Sequence, residues 1–154
     1  MRASKRRLYL MLILIFVWLA EPVKASESTD TLIGHRYYFS IDTKTGYYTA
    51  CHDGIAVGSV PGKFTQNEEG YFENITDGYG WMTFVLTTKN GEILHIELGT
   101  RDNPYVWKVS GSWFAFHRTI TRGPVYVEGK YVGMYNTISF AFGKTWIMKD
   151  FPVE

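Results

Sequence analysis

Trp81–Thr88 (WMTFVLTT) and Glu92–Leu98 (EILHIEL) flank Asn90-Gly91. Both segments are rich in aromatic, β-branched and leucine side chains, and aromatic and β-branched residues in particular favour strands. Asn and Gly tolerate the positive φ that a type I′ turn needs. The stretch therefore predicts an antiparallel hairpin. Leu94, Ile96 and Leu98 alternate with Ile93, His95 and Glu97. A period of two puts the first set on a core face and the second on the opposite face.

The same pattern runs outward in both directions. Arg36–Ile41 and Tyr47–Cys51 flank a hairpin loop at Asp42–Gly46, and Ile55–Val60 precedes Pro61-Gly62. Lys63–Gln66 and Tyr71–Ile75 flank Asn67-Glu68-Glu69-Gly70, which reads as another loop. Toward the C-terminus, Tyr105–Val109, Trp113–Ile120, Val125–Glu128, Tyr131–Tyr135, Thr137–Phe142 and Thr145–Lys149 read as strands. Ser110-Gly111, Gly123-Pro124, Gly129-Lys130 and Gly143-Lys144 punctuate them. No segment keeps a helical period over the roughly ten residues a helix needs.

Two further alternations assign faces. Phe114, Phe116, Arg118 and Ile120 oppose Trp113, Ala115, His117 and Thr119; Ile138, Phe140 and Phe142 oppose Thr137, Ser139 and Ala141. The apolar set of each is the expected core face. Short links favour pairing in sequence order, a meander. About ten strands joined this way must close into a barrel or fold into two sheets. The fold class is all-β, with a small antiparallel meander barrel as first reading and a β-sandwich as second. The strand succession resembles that of lipocalin-like barrels in pattern only.

The N-terminus reads as an address. Arg2, Lys5, Arg6 and Arg7 precede Leu8–Ala20, thirteen residues without charge, and then Val23-Lys24-Ala25. This is the order of a secretory signal peptide. The apolar run is short of the roughly 20 residues a membrane span requires. The expected division is a signal peptide over 1–25, with Ala20 as an alternative cleavage point, and one domain over 26–154. Localisation is then secreted or periplasmic, with no stable membrane span after cleavage. Loss of the leader removes five basic residues and one acid, turning a net charge of +1 into −3. No basic run survives, so nucleic acid, which demands several neutralised phosphates, is excluded as a partner. Aromatic residues make up 17% of the chain, far too many for a disordered tail.

Candidate chemistry is sparse. Cys51, the single cysteine, has no partner for an internal disulfide and reads as a small buried apolar residue. Cys51-His52-Asp53 looks like a catalytic set, but adjacent strand residues point to opposite faces, and Asp53-Gly54 is a common turn pair. His95 and Glu97 share a face, yet nothing in the sequence brings His117, His35 or His52 to them as the third ligand zinc needs. No metal and no cofactor is expected. Asn74-Ile75-Thr76 is a glycosylation sequon. Phosphate loops and a Gly-x-Ser-x-Gly elbow are absent from the sequence.

Arg118 is the sharpest candidate. On an interior face beside Phe114 and Phe116 it would need a carboxylate from the protein or from a ligand. Near a strand end it would reach water instead. Tyr79, Trp81, Trp107, Trp113 and Tyr126 are candidate contact rings, and Asp77-Gly78-Tyr79-Gly80-Trp81 joins two of them to flexible backbone. The ligand-binding set expected from sequence is Arg118, Phe114, Phe116, Tyr79, Trp81 and Trp107.

Three functions follow. The first is an exported, non-enzymatic binding module for a small amphipathic or anionic ligand, or a glycan or protein partner. The second is a surface interaction protein with a filled core, such as an adhesin, toxin subunit or inhibitor. The third is a small secreted enzyme whose acid–base site no motif announces. A cavity lined around Arg118 favours the first, and a filled core with exposed rings the second. Convergent histidine and carboxylate groups in a cleft favour the third.

Overall fold

The computed structural model describes residues 31–113 and 115–152, with side chains described to Lys149. Residues 1–25, where a signal peptide is expected, Ser26–Asp30 and Phe114 lie outside the described residues. Nine strands follow in order: β1 Thr31–Ile41, β2 Tyr47–Val57, β3 Gly62–Phe72, β4 Asp77–Thr88, β5 Ile93–Leu98, β6 Tyr105–Gly111, β7 Phe116–Val127, β8 Lys130–Phe142 and β9 Thr145–Pro152. There is no helix among the described residues. All pairings are antiparallel, and β1 pairs with β9 to close the wall.

The barrel has eight places for nine strands. β5 pairs with Met82–Thr87 of β4, and β6 with Asp77–Gly80 of the same strand. Both then pair with β7, so the two short strands lie end to end in one place of the wall. The closed meander is the expected first reading; the sandwich is not formed. Closure leaves no sheet edge to protect.

The hairpin that anchors the sequence reading is present. Leu98 is buried, Leu94 and Ile96 pack on the core, and His95 is exposed. Its turn differs in type. Gly91 has φ 84° but Asn90 keeps a negative φ, and Gly91 N–H donates to Thr88 O. This is a three-residue loop with glycine in the left-handed position. The two-residue I′ geometry occurs instead at Glu128 (φ 50°) and Gly129 (φ 73°), between Val127 and Lys130.

Three expected turns are strand interiors. Asp53-Gly54 lies within β2, Asn67–Gly70 within β3 and Gly123-Pro124 within β7. The first two are paired on both sides, Glu68 facing Ala50 of β2 and Met82 of β4, and Gly123-Pro124 is paired to Tyr135 and Met134 of β8. Ladder pairing overrides the weak strand preference of Asn, Glu and Gly here.

The faces of β7 and β8 are also reversed. His117, Thr121, Thr137 and Ala141 are buried, whereas Phe116, Arg118, Ile120, Phe140 and Phe142 are exposed. The cause is volume. Tyr48, Trp107, Trp113 and Trp146 project inward and fill the lumen, so the β7–β8 wall offers small side chains to them. The displaced rings stack outside, Phe116 lying 6.0 Å from Phe140 and 4.7 Å from Phe142.

The lumen divides along the barrel axis. At one end Leu32, Ala56, Phe64, Phe84, Leu86 and Met148 pack as an apolar plug. At the other, β1 to β4, β6 to β9 and the β6–β7 turn surround a void.

Candidate functional site

The void is a cavity of about 120 Å³ that reaches the surface between Arg36, Phe39, Lys144 and Trp113. Its floor carries a chain of polar contacts. Trp146 Nε1–H donates to His52 Nδ1 at 2.8 Å. Indole can only donate, so His52 carries its proton on Nε2. That nitrogen lies 3.5 Å from Glu68 Oε2, too long for a full hydrogen bond. Glu68 Oε1 accepts from Tyr48 OH at 2.9 Å and also from Tyr105 OH.

Alternation along the strands builds this group. His52 and Ala50 of β2 face Gln66 and Glu68 of β3 across the ladder, all on the inner face. Glycines make room for the rings above. A Cβ on Gly34 would sit 2.2 Å from the Trp146 ring, and one on Gly78 2.2 Å from Trp107. Only glycine permits so close an approach.

Burial alone would raise the Glu68 carboxyl. Contacts with His52, Tyr105 and Tyr48 outweigh it and hold the group below its ordinary value, so it is ionised. The same burial, with the Glu68 charge beside them, pushes both phenols well above theirs. Desolvation, then the Arg36 charge, lowers His117, against a partial counter-effect from its bond to the Ser112 carbonyl. His117 is therefore a neutral imidazole, and its Nδ1 has no partner.

Four buried polar atoms in the cavity wall lack a partner within the protein: His52 Nε2, Gln66 Oε1, Trp107 Nε1 and His117 Nδ1. Gln66 is 2% exposed and Trp107 5%. Gln66 spends its amide N–H on Met82 Sδ, a weak acceptor. The rings form a continuous wall, with Phe72 4.9 Å from Trp107 and 5.1 Å from Tyr48. Trp113 leans over the mouth from the turn before β7. Its N–H is fixed on Ile75 O at 2.8 Å, and its ring lies 4.7 Å from His117.

Of the described residues expected from sequence, Trp107 and Trp113 line the cavity. Arg118 points into solvent, because register places His117 and Thr119 inside. Phe116 is on the same outer face. Tyr79 and Trp81 lie on the outside of β4, Tyr79 stacked 5.4 Å from Tyr71 and Trp81 under the Arg101 guanidinium at 5.1 Å. Tyr126 meets Tyr131 edge to face, ring centres 5.7 Å apart. Cys51 is half-buried on the outer face of β2, opposite His52, so the two cannot share a proton. It is not the fully buried residue expected. His95 is outside and His117 inside, and no three His, Cys, Asp or Glu side chains converge for a metal among the described residues.

Sequence reasoning missed His52, Glu68 and Gln66 as a group. The available signal was period two across Tyr48, Ala50, His52 and across Phe64, Gln66, Glu68, hidden by reading Asp53-Gly54 and Asn67–Gly70 as turns. No known protein family, characterised protein or solved structure matches the chain.

Chemically, the cavity can accept and donate hydrogen bonds around one fixed negative charge. Glu68 is a weak base because its carboxylate is already stabilised. The His52 Nδ1 lone pair is engaged. Among the described residues of the cavity lining, His117 Nδ1 is the ring nitrogen with a lone pair that no hydrogen bond engages.

Proposed function

We propose that this protein is an exported binding module that admits a small amphipathic molecule to the open half of its barrel, without transforming it. The apolar body of the ligand would lie on Tyr48, Phe72, Trp107 and Trp113. Its polar end would reach Gln66, His52, Glu68 and His117. The leader-like N-terminus supports export. The observation that carries the reading is that four residues with a buried polar atom lacking a hydrogen bond, His52, Gln66, Trp107 and His117, all line one cavity. Buried polar atoms are nearly always paired, and each left unmade costs about 1–3 kcal/mol. An occupant with complementary groups recovers that loss. An ionised Glu68 on the floor argues against a ligand whose inner end is anionic.

The test is a titration with 2-phenylethanol and its charged analogues, followed by tryptophan emission and calorimetry. Saturable one-to-one binding is expected, lost in Thr119→Phe, which fills the void from β7. No saturation by any member overturns the reading. A second reading, acid–base catalysis, is favoured by the free Nδ1 of His117. Conversion of a bound compound that stops in His117→Asn would replace the first reading with this one.

A further inference from the structure

We propose that the inner end of the ligand is a primary ammonium group, held against Glu68 in the aromatic lumen. This rests on the binding reading above and names the ligand class. Three features point to it.

The first is charge. Glu68 brings one carboxylate into a lumen whose other floor groups are neutral phenols, an amide and imidazole. Its Oε1 accepts two phenols, but Oε2 has only the long contact to His52 Nε2. That oxygen is open to a stronger donor. A charged donor to a carboxylate makes a shorter bond, about twice as strong as a neutral one.

The second is the balance of donors and acceptors. Two acceptors stand at successive inward positions of β3, Glu68 Oε2 and Gln66 Oε1, and a third, the neutral His117 Nδ1, lies nearer the mouth beside Trp113. An ammonium carries three N–H donors and accepts nothing. A carboxylate inverts that match, and a hydroxyl supplies a single donor. Gln66 and His117 are each more than nine-tenths buried, so neither acceptor is served by bulk water.

The third is the wall. Tyr48, Phe72 and Trp107 surround the approach to Glu68 with ring faces and edges. Aromatic faces attract cations, most strongly when the cation is desolvated. Arg36 and Lys144 stand at the mouth, so the lumen runs from a positive rim to a negative floor. That polarity admits one ammonium at the floor and disfavours a second at the rim.

The experiment compares three compounds of one shape on the full-length mature protein by calorimetry: phenethylamine, 2-phenylethanol and 3-phenylpropionate. Phenethylamine should bind at least roughly tenfold tighter than the alcohol, and the carboxylate weakest. Glu68→Gln, which keeps an acceptor for the two phenols, should remove the preference for the amine over the alcohol. The wild-type series decides the matter even if that variant fails to fold. Equal affinities, or a preference for the carboxylate, overturn the ammonium assignment while leaving the binding reading standing. Absence of binding by all three overturns both.

Discussion

At one end of the barrel Phe64, Phe84, Leu86 and Met148 meet side chain to side chain. At the other end His52 of β2, Gln66 and Glu68 of β3 and His117 of β7 surround a void. β2 illustrates the change within one strand: Ala56 belongs to the plug, while His52 and Tyr48 belong to the cavity. The plug supplies apolar burial, the dominant favourable term in folding. The open half sets unpaired polar atoms and a buried charge against that gain. Sites that must act on something else commonly carry such a stability cost.

The largest expected effect lies in the plug. Phe64 is 3% exposed and touches the Phe84 and Trp146 rings. Phe64→Ala should lower unfolding free energy by about 3–5 kcal/mol in a urea titration. A loss below about 1 kcal/mol would break the claim that this end holds the fold together. Next is the carboxylate of the open half. Glu68→Leu leaves the Tyr48 and Tyr105 hydroxyls without their acceptor and should cost about 1–3 kcal/mol, measured the same way.

Acid and base should also distinguish the two ends, because titratable groups with displaced values sit in the open half. His117 and Glu68 both titrate lower folded than unfolded. The unfolded chain therefore binds more protons, and stability falls as pH drops, first below about 6.5 and again below about 4.5. Tyr48 and Tyr105 titrate higher when folded. Stability should then fall as pH rises past about 10, where unfolded phenols ionise. Melting curves across pH check both limbs. Phe substitution at Tyr48 should flatten the alkaline one.

The fold was legible because hairpin signals and period-two alternation are local. Asn90-Gly91, Gly129-Lys130 and Gly143-Lys144 mark real turns, and Leu94, Ile96 and Leu98 face inward as their spacing requires. The site was poorly legible for a physical reason. A lumen holding Trp107 and Trp146 needs glycine and small or polar neighbours, and those are the residues that also spell turns. Asp53-Gly54 and Asn67–Gly70 thus looked like loops while carrying the strands past His52 and Glu68. The same crowding reversed β7 and β8, putting Phe116 and Phe140 outside and His117 inside. Nothing local to those strands records what fills the lumen opposite them.

Smaller effects sharpen the contrast between wall and lumen. Gly91→Val should cost about 1 kcal/mol or more, since a β-branched residue resists the positive φ of the β4–β5 turn. Arg118→Met should change stability by less than about 0.5 kcal/mol, as expected of a solvated side chain. A larger change in either direction would return Arg118 to the interior role its neighbours Phe116 and Ile120 suggested.

The open half holds its polar atoms at a cost to the fold. Gln66→Leu tests this most directly, because Leu keeps approximate volume and removes an acceptor that has no partner. Equilibrium unfolding of the ligand-free protein should show a gain of about 1 kcal/mol, with binding of the phenethyl series weakened. A loss of about 1 kcal/mol or more, with that binding unchanged, would mean Gln66 is an ordinary satisfied core residue, and would contradict the account.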